Sequence, residues 1–520
     1  MKKQNIIFPI CLILIITFIS YYPSLKNGFV TWDDPAYVTG NLQIRSLSLQ
    51  NVKNIFTSFT MDLYTPLSNL SYAIEYNIFK LNPKIYHITN LFIHLLNCIL
   101  VFWLFFLISD KISVSFLVSL LFGIHPLHVE SVAWISERKD VLYAFFFLLS
   151  LISYIYYYNK KEAKYYYFAL ILFILSILSK PMAVTLPVIL FIFDYLLNRK
   201  FTWDIFKEKI LFFIIAVIFS IINLYGGTPP KLHYDIFEKI FFPTYVLLFH
   251  LFKTIIPLKL SAIYPHPEKI GNFLPSIFYI SFIVIVLLAT AVYFSKRYTK
   301  KIIFGSLFFF IASLPVIQLV SISYSITFDR YSYLPSLGLF YIFAEVLNWL
   351  YFVKFPYLKI AKILISIFYV FIVGLFSYLT WNRCYVWNNS IALWDDVIKK
   401  YPNFKEAYNN RAYAYHSTGN DGQAIIDFSR AIEINPDYFK AYNNRGNIYK
   451  SIGKYDKALS DFNEAIKINP GFTQVYYNRA IVYCIKKEYN KAAEDIKKLQ
   501  ELGFAVPAEF QKILQQFGKK

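Results

Sequence analysis

The sequence predicts an all-α protein of two parts: a large membrane domain over residues 1–385 and a small helical repeat domain over residues 390–520. Three observations predict this class. Hydrophobic residues make up 57% of the chain and charged residues only 16%, with a mean hydropathy of +0.45. Apolar runs of about 17–22 residues, long enough to cross a hydrocarbon core of ~30 Å, recur up to about residue 380. Residues 401–520 instead carry regularly spaced charges and no such run.

The first apolar run sets the expected orientation of the chain. Lys2 and Lys3 precede this run, and no small-residue cleavage site follows it, so we expect an uncleaved helix whose N-terminus lies inside. The loop that holds Asp33 and Asp34 then lies outside. Further spans are predicted near 88–108, 112–125, 140–158, 165–179, 182–197, 208–225, 274–295, 302–320, 335–352 and 360–380, which gives about eleven in total.

Residues 226–272 are harder to assign. Their apolar stretch is interrupted by Lys253 and by prolines, and counting it as a span would place the basic residues at 296–301 outside, against the positive-inside rule. We therefore expect an external loop with an interfacial or re-entrant helix. The C-terminal repeat domain then lies outside as well.

The net charge of +20 does not indicate nucleic-acid binding. Residues 401–520 contain 18 Lys/Arg and 13 Asp/Glu, so most of the excess belongs to the membrane domain and its short loops. That distribution is typical of cytoplasmic loops in a membrane protein. The four cysteines are scattered and match no metal-binding spacing.

The C-terminal domain repeats with a fixed period. Pro402, Pro436 and Pro470 are 34 residues apart, which is the tetratricopeptide period. The repeats are assigned to 405–438, 439–472 and 473–506, and a half-repeat that contains Trp394 and Val397 precedes them. Such arrays present a concave surface that usually binds an extended peptide or a partner protein.

Asparagines recur along these repeats. Asn409 and Asn443 could offer side-chain amides to the backbone of a bound peptide, which would make them acceptor-binding residues. The alternative is that they only cap or connect helices.

Two adjacent carboxylates, Asp33 and Asp34, follow the first span closely. A membrane protein does not need them for insertion, and they would lose hydration if they lay against the protein. One interpretation is a catalytic acid pair, and the other is a solvated loop end, since Asp-Asp-Pro also suits a turn.

Other polar residues lie at the ends of later spans. His128 and Glu130, together with His125, could bind a divalent metal by residue type, but their spacing matches no familiar zinc motif. A phosphate site fits better, because Arg138 and Lys139 offer positive charge near the membrane surface. Arg330 is another phosphate candidate. The alternatives are snorkelling cations and pairing of Arg330 with its neighbour Asp329.

Taken together, these motifs resemble one family. They comprise Phe29–Asp34, His125–Trp134 followed by Arg138–Asp140, Ser179–Pro181, Asp329–Pro335 and the C-terminal repeats, in that order. The set resembles the transmembrane and tetratricopeptide-repeat O-mannosyltransferases and their bacterial relatives, within the C-type glycosyltransferase superfamily. The resemblance covers essentially the whole chain.

The resemblance implies a multispan fold whose first external loop holds the catalytic acid. It also implies a polyprenyl- or dolichyl-phosphate sugar donor and transfer of the sugar to Ser or Thr of a protein. Asp33 corresponds to the first acid of the related Asp-Glu pair and is assigned as the base, while Asp34 supports it or binds the acceptor. His128, Glu130, Arg138, Lys139 and Arg330 are assigned to donor contacts.

The chemistry fits these residue types independently. A lipid-phosphate sugar already has a good leaving group, so the reaction needs a base for the acceptor hydroxyl and positive charge for the departing phosphate. A neighbouring like charge would raise the pKa of the base towards a useful value. The sequence identifies no definite cofactor, and a divalent metal remains an open alternative.

Other functions stay open. The array is shorter than in the eukaryotic family, so the acceptor could be a glycolipid or polysaccharide, or the chain could be an oligosaccharide ligase. A non-enzymatic membrane scaffold is the alternative outside enzymes. A transporter ranks third, since the charges concentrate at span ends. Heavy use of Ile, Lys, Tyr, Phe and Asn suggests an AT-rich genome, and we place the chain in a bacterial inner membrane with its active-site loop and repeats on the outer face.

Overall fold

The computed structural model describes residues 6–226, 236–271, 273–319, 325–353 and 358–504, together with 510 and 512. The chain divides into two compact units, Met1–Asn389 and Ser390–Lys520. Apart from one two-stranded ribbon, the regular structure in the described residues is helical, so the all-α prediction is confirmed.

The first unit contains fifteen helices within its described residues. They are α1 Ile7–Tyr21, α2 Leu49–Thr57, α3 Pro66–Phe79, α4 Pro83–Ser109, α5 Ile112–Ile124, α6 Val129–Ala133, α7 Arg138–Lys160, α8 Ala163–Ser179, α9 Leu186–Leu196, α10 Trp203–Leu224, α11 Ile236–Ile255, α12 Ser276–Ser295, α13 Lys300–Ser313, α14 Ser336–Phe352 and α15 Leu358–Val386. The ribbon pairs β1, Tyr264–Pro265, with β2, Ser325–Thr327, in antiparallel orientation.

Several of these helices are suited to a membrane. Across the described residues, five are long and apolar enough to span it: Ile7–Lys26, Pro83–Ser109, Ile135–Lys160, Ser276–Ser295 and Lys359–Val386. The pair Ile112–Ile124 and Pro126–Ala133, bent by 51°, adds a sixth if it forms one broken span. Three shorter apolar helices accompany them, and the count of about eleven spans stays a prediction.

The predicted span at 302–320 is shorter than expected. Helix α13 ends at Ser313, and a 3-10 turn over Leu314–Val316 follows it. Residue 320 lies outside the described residues. Within 226–272, α11 forms one helix with Pro243 inside it, and its interfacial or re-entrant placement remains a prediction.

A break after α5 shapes the functional region. His125 adopts extended backbone angles and Pro126 begins a new 3-10 turn, because proline cannot continue the hydrogen-bond ladder of α5. A second extended residue, Trp134, ends α6, and α7 begins at Arg138. The chain therefore places short polar turns between two apolar helices, and these turns lie beside the loop after α1.

The second unit is a repeat solenoid. Its helices are α16 Ser390–Lys400, α17 Lys405–Ser417, α18 Asp421–Ile434, α19 Phe439–Ser451, α20 Tyr455–Ile468, α21 Thr473–Ile485 and α22 Tyr489–Glu501. Small residues let the paired helices approach closely: a Cβ added at Gly446 would lie 2.7 Å from the ring of Phe462. Trp394 of α16 is buried and occupies the position that Phe428 and Phe462 hold in the next two repeats.

These repeats share an ion pair. Arg411, Arg445 and Arg479 each donate two hydrogen bonds to the aspartate 16 residues later, at 2.6–2.9 Å. The remaining guanidinium nitrogen of each arginine reaches back to the residue 16 positions earlier, at 2.6–2.8 Å. Each arginine therefore ties its own repeat to the preceding helix.

Candidate active site

Seven charged side chains meet where the polar turns of the first unit converge. This charged cluster consists of Asp33, Glu130, Glu137, Lys139, Asp140, Lys180 and Arg330. The α1–α2 loop contributes Asp33, the turns around α6 and α7 contribute four residues, the α8–α9 turn contributes Lys180, and the segment after β2 contributes Arg330. Loops that the sequence assigned to one membrane face thus lie together.

Asp34 is locked in place. Its Oδ1 accepts hydrogen bonds from the Trp134 indole N–H, at 3.0 Å, and from both the backbone N–H and the hydroxyl of Ser136. Its Oδ2 accepts the backbone N–H of Val30 at 2.8 Å. Burial raises the pKa of Asp34 to about 6, although the hydrogen bonds from Ser136 and Val30 oppose the shift. All its strong acceptor positions are engaged, so Asp34 anchors the loop to the turn before α7.

Asp33 contrasts with its neighbour. None of the described residues donates a hydrogen bond to its carboxylate, and the residue remains partly exposed. Burial raises the pKa of Asp33 above its usual value, and the nearby Lys139 ammonium lowers it part of the way back. A partly exposed carboxylate with a raised pKa is suited to accept a proton.

Three cations surround the carboxylate of Glu137. Lys139 Nζ lies 3.4 Å from Oε1, Arg330 Nε lies 3.5 Å from Oε1, and Lys180 Nζ lies 3.3 Å from Oε2. The three come from α7, from the turn after α8 and from the segment after β2. Positive charge from three separate elements is therefore focused on one point.

The same cations have further partners. Lys180 Nζ lies 2.6 Å from Asp140 Oδ1, and Asp140 Oδ2 accepts the hydroxyl of Ser131 at 3.0 Å. Arg330 forms a two-point contact with Glu130 through its backbone N–H and its Nη1. Burial lowers the pKa of Lys180, but the carboxylates of Asp140 and Glu137 raise it further, so its pKa ends above the usual value.

Arg330 does not pair with Asp329. Asp329 instead accepts the hydroxyl of Tyr264 at 2.6 Å and lies 3.7 Å from Arg383. The structure therefore does not contain the Asp329–Arg330 pair that the sequence left as an alternative.

Arg138 lies apart from the charged cluster. It is fully buried, and its guanidinium donates to Asn90, Glu75 and the backbone oxygen of Tyr86. The guanidinium also stacks over the ring of Tyr72, with 4.6 Å from its carbon to the ring centroid. These contacts tie α7 to α3 and α4.

Both ring nitrogens of His128 are within hydrogen-bond distance of other groups of the protein. His128 Nδ1 lies 2.8 Å from the backbone oxygen of Phe122, and its Nε2 lies 3.0 Å from the hydroxyl of Ser336. His125 bonds the backbone oxygen of Thr254 and the N–H of Leu127. In the part of the chain that the structure describes, no group of three or more His, Cys, Asp or Glu could hold a metal ion.

Aromatic rings form one wall of the region. Trp32 stacks on Trp134 at a centroid distance of 4.7 Å, and Trp134 stacks on Trp387 at 5.0 Å. The Arg330 guanidinium lies over the ring of Phe328, with 3.8 Å from its carbon to the centroid. The stacked tryptophans begin next to Asp33 in the chain, and the ring of Phe328 lies against Arg330.

Sequence reasoning named Asp33, Glu130, Lys139 and Arg330 but did not include Glu137, Asp140 or Lys180 among the site residues. A signal was present, because Glu137 and Asp140 flank Arg138-Lys139 and Lys180 lies in the Ser-Lys-Pro motif. Their convergence depends on how α7 and α8 pack, which no local pattern reveals.

The repeat-domain asparagines form a ladder between repeats. Asn444 donates to Asn409 at 3.0 Å, and Asn478 donates to Asn443 at 2.9 Å. Asn409 and Asn443 in turn donate to their sequence neighbours. This ladder connects α17, α19 and α21, and the peptide-binding role of Asn409 and Asn443 stays a prediction.

Comparisons with known proteins give matches to repeat models and to curated enzymes. Models of the tetratricopeptide repeat match residues 439–472 and 413–453. The protein O-mannosyl-transferase F38B6.6 of Caenorhabditis elegans is 26% identical over 273 residues, which is 49% of this chain and 39% of that protein. The human protein O-mannosyl-transferase TMTC3 is 32% identical over 142 residues, covering 26% of this chain and 15% of that protein.

The human protein O-mannosyl-transferase TMTC2 is 38% identical over 92 residues, 18% of this chain and 11% of the relative. A solved structure, that of MamA, is 29% identical and covers 22% of this chain and 67% of MamA, with a TM-score of 0.21. The chain covers 39% or less of the length of these three curated relatives. The chain is thus similar over part of its length to protein O-mannosyl-transferases, and it carries tetratricopeptide repeats.

Proposed function

We propose that this chain is a membrane glycosyltransferase that moves a hexose, mannose by analogy with its relatives, from a polyprenyl-phosphate donor to a hydroxyl of an exported acceptor. Asp33 is the general base. The observation that carries the proposal is the contrast within the acidic pair. Asp34 is held by four hydrogen bonds, while Asp33 is partly exposed and its carboxylate is within electrostatic reach of Lys139, Lys180 and Arg330.

The reaction follows from this arrangement. Asp33 takes the proton of the acceptor hydroxyl while the oxygen of that hydroxyl forms a bond to the anomeric carbon of the sugar. The bond between that carbon and the phosphate oxygen breaks, and the phosphate leaves with the electron pair. Lys139, Lys180 and Arg330 stabilise the negative charge that develops on the phosphate. We assign Asp34, Glu130 and Arg138 to positioning, because their polar atoms are engaged by the protein.

The orientation of the site is part of the proposal. The α1–α2 loop, the turns around α6, the α8–α9 turn and the segment before α14 come together, which supports placing all four at one membrane surface. Lys160, Lys161 and Lys164 lie at the other end of α7 and in the turn to α8, as expected of the cytoplasmic end. We place the active site and the repeats on the outer face of a bacterial inner membrane.

The acceptor is proposed to be Ser or Thr of an exported protein, with the repeats binding that protein or a partner. An oligosaccharide ligase or a transferase acting on glycolipid or polysaccharide would use the same base and the same phosphate contacts. A non-enzymatic scaffold does not need a carboxylate such as Asp33. Substitution of Asp33 should therefore abolish the function of an enzyme and leave that of a scaffold intact.

The test is glycopeptide mass spectrometry of exported proteins from cells that carry the native chain, a deletion or Asp33→Asn. Asp62→Asn is the matched control, because Asp62 is an exposed carboxylate of the turn between α2 and α3 and lies outside the charged cluster. Hexose on Ser or Thr should vanish in the deletion and in Asp33→Asn and persist in Asp62→Asn. Hexose that survives Asp33→Asn but not deletion would move catalysis to another residue. No protein-linked hexose in any strain would reject the protein acceptor.

A further inference from the structure

Glu137 occupies an unusual place among the cations of the charged cluster. Lys139, Lys180 and Arg330 all approach its carboxylate, at 3.3–3.5 Å. Lys180 lies closer to Asp140, at 2.6 Å, and Arg330 makes its closest contact with Glu130. Glu137 therefore contacts all three cations. It is not the closest partner of Lys180 or of Arg330.

The charges of the cluster also balance without any ligand. Its three cations are matched by the carboxylates of Glu130, Glu137 and Asp140, and Asp33 adds one further negative charge. An anionic phosphate that entered this site would meet a region already neutral or negative. Like charges at such short distances repel strongly where water is excluded, so we expect one carboxylate to move away from the cations when the phosphate enters.

Geometry identifies which carboxylate that is. Asp140 is held by Ser131 as well as by Lys180, and Glu130 makes a two-point contact with the backbone and side chain of Arg330. Glu137 lies between these two pairs, and its contacts with the three cations are longer, at 3.3–3.5 Å. It also stands at the N-terminal end of the 23-residue helix α7, where backbone N–H groups favour an anion.

We propose that Glu137 is a built-in stand-in for the phosphate of the donor. Its carboxylate holds Lys139, Lys180 and Arg330 together while the site is empty, and the phosphate replaces it when the donor binds. This inference rests on the proposed function, since it names where the donor phosphate is held and what it displaces.

The stand-in has a consequence for turnover. The donor is a phosphodiester with one negative charge, whereas the released lipid phosphate is a monoester that carries up to two at neutral pH. Three cations would hold that product more tightly than the donor. A competing carboxylate that returns to the cations offsets this preference and speeds release of the product.

The experiment measures binding of farnesyl phosphate to the purified full-length chain in detergent by isothermal titration calorimetry. Inorganic phosphate and uncharged farnesol are titrated in parallel. Glu137→Gln should bind farnesyl phosphate at least about tenfold more tightly than the native chain, because the competing charge is gone. Inorganic phosphate should show a gain in the same direction, and farnesol none.

Asp140→Asn is the matched control, because it removes the same charge from the same cluster. Its gain in affinity should be clearly smaller, and an equal gain would overturn the stand-in role in favour of a general charge effect. If Glu137→Gln does not fold, Glu137→Asp keeps the charge but withdraws the carboxylate by one methylene group, and it should also bind farnesyl phosphate more tightly.

The outcomes separate this inference from the proposed function. Native binding that neither Glu137 variant strengthens would overturn the stand-in and leave the lipid-phosphate donor standing. Failure of the native chain and the variants alike to bind farnesyl phosphate would overturn both.

Discussion

The two units of this chain bury ion pairs in different ways. In the repeat unit Arg411, Arg445 and Arg479 each face the aspartate 16 residues later through two parallel hydrogen bonds of 2.6–2.9 Å, and this pair recurs every 34 residues. In the charged cluster, three cations share the carboxylates of Glu130, Glu137 and Asp140, with contacts to Glu137 of 3.3–3.5 Å, and none of the described residues donates a hydrogen bond to the carboxylate of Asp33.

The difference teaches how the same residue types serve structure or chemistry. A bidentate pair satisfies both partners, fixes one helix against another and leaves nothing for a ligand. A cluster whose cations are shared, and in which one carboxylate remains open, keeps groups available for a substrate. We call the arginine–aspartate pairs of the repeats the closed pairs and Asp33 the open carboxylate. We expect the closed pairs to affect stability and the open carboxylate to affect catalysis.

The largest effect is expected for Asp33→Asn. Transfer from a polyprenyl-phosphate sugar to a Ser/Thr peptide by the purified chain should fall about 10²–10⁴-fold, because the amide cannot take the hydroxyl proton. Thermal unfolding should be unchanged, since no described residue hydrogen-bonds this carboxylate. A rate within twofold of the native chain would refute the base assignment.

Asp34→Asn should act through position. The substituted amide keeps one accepting oxygen but turns its NH₂ group either towards the donors of Trp134 and Ser136 or towards the N–H of Val30, so the anchor of the loop is weakened. We expect a rate about 10–100-fold lower, as for residues that orient a reacting group. Hydrogen exchange should also accelerate in the loop after α1. Unchanged exchange together with a rate loss as large as that of Asp33→Asn would indicate direct chemistry by Asp34.

The closed pairs should govern stability. Asp461→Ala removes the carboxylate that accepts two hydrogen bonds from Arg445 and leaves a largely buried guanidinium without its counter-ion, so we expect the repeat unit to lose about 1–3 kcal/mol. Hydrogen exchange of residues 405–504 in the full chain measures this loss. Glu433→Ala breaks an exposed pair with Arg430 and should change stability by less than about 0.5 kcal/mol. Equal losses in the two variants would show that the bidentate geometry contributes nothing.

The smallest effect is a shift in pH dependence. Burial raises the pKa of Asp33 and Lys139 lowers it, so the acid limb of the rate profile should lie above the usual aspartate value of about 3.9. Activity needs the ionised form and is lost as the pH falls through that limb. Lys139→Gln removes the lowering charge and should move the limb to higher pH. A limb that moves to lower pH, or does not move, would contradict this electrostatic role.

The sequence alone predicted much of the fold, because the patterns that indicate helices are local in the chain. Hydropathy and the 34-residue period both report helices directly, and they predicted the all-α class and the repeat solenoid. The site was harder, as Arg138 and Lys139 illustrate. Successive residues of a helix point about 100° apart, so Arg138 faces Glu75 and Asn90 while Lys139 faces Tyr37 and the charged cluster. Both residues are positively charged, and the sequence alone did not indicate that they have different surroundings.

Chemical rescue tests the contrast between the open and the locked carboxylate most directly. Transfer by Asp33→Ala and Asp34→Ala is measured with and without added formate, a small carboxylate that can enter the space left by the truncated side chain. Formate should restore the Asp33→Ala rate at least about tenfold, because a free carboxylate can act as the base there, and it should leave Asp34→Ala unchanged. Rescue of Asp34→Ala without rescue of Asp33→Ala would contradict the assignment of the base.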